Sequence, residues 1–198
     1  SNTRMRFSFD QDKAFTYTDY FSLVEDVVAK GMTTGPVQNE ALAHYTSLNL
    51  RRMKRVAKTV KLSPEFIEAV NKIEEPVTWL VITEGWCGDA AASIPIMQMA
   101  ASLNDNINLQ LILRDDNLEV MDQYLTNGGR SIPKLVMFDG NGQEIGNWGP
   151  RPAALATARQ EWLDDPEIEA SRAENLAKRH KQVSIAVKAA EAAHRKAE

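Results

Sequence analysis

The sequence predicts an α/β protein with a mixed central sheet flanked by helices, a helical N-terminal extension and a long C-terminal helix. Three observations carry this. First, "VTWLVIT" (77–83) is a nearly unbroken apolar, β-rich run, the pattern of a strand buried on both faces. Second, the elements from about residue 76 to 164 alternate as β-α-β-α-β-β-α, which calls for crossover helices followed by one hairpin. Third, the segments on either side have helical apolar spacing and no strand signal.

The elements follow in order. Residues 13–30 read as a helix with Phe21, Val24, Val27 and Val28 on its apolar face, ended by Gly31. Residues 38–61 read as a longer helix, with Leu50, Met53, Ala57 and Val60 facing inward. A basic ring of Arg51, Arg52, Lys54, Arg55, Lys58 and Lys61 surrounds that face. Ser63 and Pro64 suit the cap and first turn of a third helix bearing Phe66, Ile67 and Val70. After the 77–83 strand come a helix from Cys87 to Leu103, a strand over 107–114 and a short helix in "NLEVMDQYL". A strand over 134–139, a "GNG" turn and a strand in "QEIGNW" follow. A helix over 152–163 closes this part. The Ala-, Glu- and Lys-rich tail after Pro166 reads as one helix, with a heptad-like seam at Leu176, His180, Val183, Val187, Ala190 and His194. That seam either packs on its own domain or forms a homodimer contact. The expected division is 1–75, 76–164 and 165–198.

Composition excludes several classes. Of 198 residues, 43% are hydrophobic, enough for a sizeable core, and no run approaches the length of a membrane helix. A net charge of −4 argues against nucleic acid as a partner. The N-terminus shows no signal-peptide pattern and the single cysteine permits no internal disulfide, so a cytoplasmic location is expected. His44, His180 and His194 lack metal-ligand spacing, and His44 is expected to be partly buried packing. "GNGQEIG" sits in a hairpin and does not open a helix, so it is not a dinucleotide fingerprint. No metal or bound cofactor is expected.

The chemistry centres on "EGWCGDA". Cys87 stands where a buried strand turns into a helix, and free N–H groups at a helix start favour a thiolate. The competing description is an inert core cysteine, which Gly85 and Gly88 on either side argue against. Asp89 is either an ordinary first-turn acid or a proton acceptor for Cys87. Glu84, if ionised, opposes the thiolate. In "GGRSIPKLVMF", Pro133 precedes a buried strand and its peptide bond is a candidate for cis. Arg130 is either a solvated residue or a cation offsetting the acid or holding an anionic thiol.

Together Trp86-Cys87-Gly88, Pro95 and "RSIPKLVMFDGNGQEIGNWG" resemble the thioredoxin family over about residues 76–164. The whole pattern, with its basic helix, resembles a bacterial single-cysteine subfamily. The resemblance implies that Pro133 is the cis-proline and that Pro95 lies within the active-site helix. It places Gly149 on a third loop around the sulfur, and gives Arg130 and Asp116–Asn117 family counterparts. It also implies a substrate groove formed by Trp86, Gly88, Arg130, Ser131, Ile132, Pro133 and Gly149. Three departures stand out. Ala90 replaces the resolving cysteine, Asp89 replaces the intervening proline, and Val81 occupies the position of the buried acid. The expected activity is therefore monothiol exchange with a thiol or disulfide substrate, Cys87 as nucleophile and Asp89 assisting. A low-molecular-weight thiol is the co-substrate. The alternatives are a thiol redox sensor or a binding protein of the same fold without catalysis.

Overall fold

The computed structural model describes residues 9–149 together with Lys181 and Val183. Among these residues the sheet has four strands in the order β2-β1-β3-β4: β1 (Val77–Thr83), β2 (Ile107–Leu113), β3 (Lys134–Asp139) and β4 (Glu144–Trp148). β1 runs parallel to β2, with Val77 opposite Ile107 and Thr83 opposite Leu113. On its other side it runs antiparallel to β3, with Ile82 opposite Lys134. Hydrogen bonding on both edges and helices over the sheet explain why β1 is almost wholly apolar: Trp79, Leu80, Val81 and Ile82 are all buried. The β3–β4 hairpin closes through Gly142 at φ +76, a backbone state suited to glycine, and is bulged at Met137/Phe138. The Asp139 carboxylate accepts from the N–H groups of Asn141 and Gln143 across the turn.

Within residues 9–149 five α-helices accompany the sheet: α1 (Tyr17–Ala29), α2 (Glu40–Thr59), α3 (Pro64–Asn71), α4 (Gly88–Leu103) and α5 (Leu118–Met121). Thr16, Asn39 and Ser63 cap the first three, each side chain accepting an N–H from the first turn. α2 packs along α4, α1 packs on α2 and reaches β2, and α3 also packs on α4. One hydrophobic core therefore joins Tyr20, Val24, Met53 and Phe66 of the N-terminal helices to the sheet residues. Fully burying a side chain of that size contributes about 1.5–3 kcal/mol.

Several expectations need correction. The first helix begins at Tyr17, because Thr16 caps it, and a short 3-10 turn at Gln11–Lys13 precedes it. Phe15 exchanges two backbone hydrogen bonds with Leu111, so the N-terminal segment adds one residue to the outer edge of β2. On α2 the buried stripe is Thr46, Asn49, Leu50, Met53 and Val56, and Ala57 is exposed. A step of about 100° per residue lets Val56 rather than Ala57 continue the 49/50/53 row. His44 is exposed, beside Tyr45. The helix in "NLEVMDQYL" spans only four residues. The helix expected over 152–163 lies outside the described residues, as does the tail seam except near Val183. Lys181 and Val183 are helical, and Val183 is fully buried in the core. No helix among the described residues is long and apolar enough to cross a membrane.

Candidate functional site

β1 delivers the chain into the turn Glu84-Gly85-Trp86-Cys87, closed by a hydrogen bond from the Cys87 N–H to the Glu84 carbonyl at 3.1 Å. Cys87 takes the cap position of α4 in an extended conformation, and its own carbonyl accepts the Ala91 N–H. Gly88 and Asp89 form the first turn and are half-buried. Pro95 lies buried in the same helix. From the opposite side comes the loop before β3, whose Ile132–Pro133 peptide is cis. The Cys87 thiol donates to the Ile132 carbonyl, with Sγ and O 3.4 Å apart. Two segments 45 residues apart in sequence thus meet at the sulfur.

The surroundings of the sulfur differ from the sequence-based expectation. Cys87 was expected to stand clear of the core, yet it is only 5% exposed and belongs to the hydrophobic cluster. α2 reaches the turn from one side and the proline loop from the other. The Asn49 side chain donates to the Gly85 carbonyl at 3.0 Å. The Arg52 guanidinium donates to Asn49 Oδ1 at 2.9 Å and lies over Gly88, where an added Cβ would come within 2.7 Å of Arg52 Nη1. The electrostatics are opposed: the helix start favours thiolate, while burial and donation to Ile132 favour the neutral thiol.

The other sequence-derived residues divide into two groups. Ile132 and Pro133 are buried at the sulfur and Ser131 is half-buried beside them. Trp86 is half-buried, with the Arg114 guanidinium 4.9 Å above its ring. Arg130 turns away: it makes two bonds to the Asp122 carboxylate, at 2.8 and 3.1 Å, in an exposed pair. It therefore does not hold Asp89. Gly149 lies against Lys134, with Nζ 3.0 Å from an added Cβ. Val81 is a fully buried strand residue.

Three features go beyond the sequence reading, which took Glu84 only as a charge near Cys87 and gave Arg114 and Lys134 no role at the site. Glu84 is fully buried. Its carboxylate accepts from Thr34 Oγ1 and, at 3.0 Å, from the Asp115 N–H. Thr34 Oγ1 in turn accepts the Gly85 N–H at 2.9 Å, so the α1–α2 loop is tied to the cysteine turn through one hydroxyl. Burial raises the Glu84 pKa, against the opposing effect of its hydrogen bonds from Thr34 and Asp115. Arg114 links three loops: it pairs with Asp115 at 2.9 Å, donates to the Arg130 carbonyl at 3.2 Å and stacks on Trp86. Lys134, 7% exposed, donates to Thr126 Oγ1 at 3.1 Å, and burial lowers its pKa. An acid directly ending an apolar strand was the available signal for Glu84. Nothing local marks Thr34 or Arg114. Among the described residues no group of three His, Cys, Asp or Glu side chains is arranged to hold a metal.

Comparison with known proteins gives one family match, to the model described as Thioredoxin, over residues 35–165. That span includes α2 and α3 as well as the sheet. No curated protein matches the chain. Among solved structures it is similar to a protein of unknown function, PA1234, from Pseudomonas aeruginosa. The identity is 20% and the TM-score 0.54, covering 93% of this chain and 99% of that one. An engineered HIV 4E10 epitope scaffold gives the same identity and TM-score, covering 93% of this chain and 100% of its own. At this identity the two structures support the fold.

Proposed function

This chain belongs to the thioredoxin family, and on that premise we propose that it is a bacterial single-cysteine member performing monothiol disulfide exchange at Cys87. The observation that carries the reading is the position of the sulfur. It sits at the cap of α4 and touches the carbonyl that precedes a cis-proline, where an incoming disulfide can lie along the 131–133 backbone.

The chemistry takes two balanced steps. The Cys87 thiolate attacks one sulfur of a substrate disulfide, forming a Cys87–substrate disulfide and releasing the other sulfur as a thiolate. A thiolate from an external low-molecular-weight thiol then attacks the substrate sulfur of this bond. Cys87 leaves as thiolate, and the substrate departs as a mixed disulfide with the small thiol. No second cysteine exists in the chain to perform that step internally. The proton lost from Cys87 needs an acceptor. Asp89 in the first turn of α4 is the candidate, and water is the alternative.

The low exposure of Cys87 favours a second reading, in which the groove beside Pro133 holds an extended segment and the thiol does no chemistry. Intact mass after exposure to oxidised glutathione or bacillithiol disulfide separates the two. The exchange reading expects a single adduct that excess thiol reverses and that Cys87→Ser abolishes. Absence of any adduct in the wild type would leave the binding reading. Insulin reduction with thioredoxin reductase alone should be negligible, and turnover there would contradict the need for an external thiol.

A further inference from the structure

We propose that Arg52 is a positioning residue of the Cys87 centre: α2 delivers its guanidinium onto Gly88, where it offsets the Asp89 carboxylate and favours the Cys87 thiolate. The inference rests on the exchange reading above and assigns a role in it to the N-terminal helices.

The geometry is specific. Arg52 lies on the flank of α2, between the buried row that ends in Val56 and the exposed cations Arg51, Lys54 and Lys58. It is half-buried and oriented by Asn49, which itself holds the Gly85 carbonyl. The two glycines bracketing Trp86-Cys87 are therefore both engaged by α2, one through Asn49 and one by Arg52. Gly88 has no positive φ to demand glycine. A Cβ there would meet the guanidinium, 2.7 Å away, which as the end of a flexible side chain would shift aside. Any larger residue would push the cation off the turn.

The charges around the sulfur make this cation consequential. Glu84 stands three residues before Cys87 and Asp89 two after it, and both oppose ionisation of the thiol when charged. From α1, Tyr20 faces the same centre, its phenol held un-ionised chiefly by burial, with the charges of Cys87 and Glu84 acting in the same direction. Arg114 is occupied with Asp115, the Arg130 carbonyl and the Trp86 ring. Arg130, the cation expected from sequence, is bound to Asp122. Arg52 lies against Gly88, the residue that follows Cys87 in the first turn of α4. It adds to the partial positive charge of the α4 start, where the thiolate develops.

The test is the pH profile of Cys87 alkylation by iodoacetamide, measured on the full chain as wild type, Arg52→Gln, Arg52→Lys and Gly88→Ala. Arg52→Gln should move the midpoint to higher pH and slow alkylation below the midpoint by about three- to tenfold. The plateau rate at alkaline pH should hold, since it reports access rather than ionisation. Arg52→Lys should restore most of the rate. Gly88→Ala should move the midpoint in the same direction by displacing the guanidinium, which keeps the test decisive if Arg52→Gln fails to fold. An unchanged midpoint in the folded variants would overturn the role of Arg52 while leaving exchange at Cys87 intact. A wild-type Cys87 no more reactive than an unfolded-peptide thiol would overturn both.

Discussion

Thr34→Val probes the link between the N-terminal loop and the cysteine turn. Valine matches threonine in shape, so the change removes one hydroxyl and little volume. That hydroxyl donates to the buried Glu84 carboxylate and accepts the Gly85 N–H. Losing a hydrogen bond to a charged group costs about 1.5–3 kcal/mol, and orphaning a buried N–H about 1–3 kcal/mol. Glu84 keeps the Asp115 N–H, so part of its satisfaction survives. The expected loss is about 3–5 kcal/mol at a pH above the Glu84 titration, a large share of a typical domain's stability. Thr34→Ser, which keeps the oxygen, should lose about 1 kcal/mol or less. Urea unfolding followed by tryptophan fluorescence measures both. Because the broken bonds hold the turn that presents Cys87, alkylation in Thr34→Val should also accelerate under native conditions through local opening. A stability loss below about 1 kcal/mol would refute the idea that this hydroxyl secures the buried acid.

Glu84→Gln tests the charge itself. Burial raises the Glu84 pKa, so the folded protein binds that proton more tightly than the unfolded chain. The resulting stability is complete below the unfolded carboxyl's pKa and is lost as pH rises through the folded value. The amide variant carries no such charge, so its stability relative to wild type should grow with pH across that window; denaturant midpoints that track in parallel would contradict this. Lys134→Met works with the opposite sign. Burial lowers the Lys134 pKa, so wild type should gain stability relative to the variant as pH rises from the folded value, seen as a rise of its thermal midpoint relative to that of the variant. Leu111→Ala, at a fully buried β2 position, should cost about 2–5 kcal/mol in chemical denaturation. Arg130→Ala, at an exposed ion pair, should leave both the denaturation midpoint and the Cys87 alkylation profile unchanged. A shifted profile would restore Arg130 to the sulfur's surroundings.

Features governed by short-range interactions were legible in the chain. The apolar run of β1, the cap Ser63, the hairpin at Gly142 and the strand at Lys134–Asp139 all follow from local periodicity and turn chemistry. So does the cysteine at a helix start. What surrounds that cysteine depends on contacts between distant segments. Thr34 meets Glu84 across 50 positions, Asn49 meets Gly85 across 36, and the Cys87 thiol meets Ile132 across 45. Such pairings depend on how α2 is rotated and where it lies along α4. A rotation of one residue, about 100°, separates the Val56 row from the Ala57 row. Arg130 shows the same limit in reverse: its place beside the proline was legible, but the carboxylate it chose was not, because an exposed arginine pairs with whichever acid the folded loops bring within reach. The cysteine at the centre of the proposed site could be named from the chain alone. Its burial, and the arginine laid on the next residue, exist only once the N-terminal helices have packed over the turn.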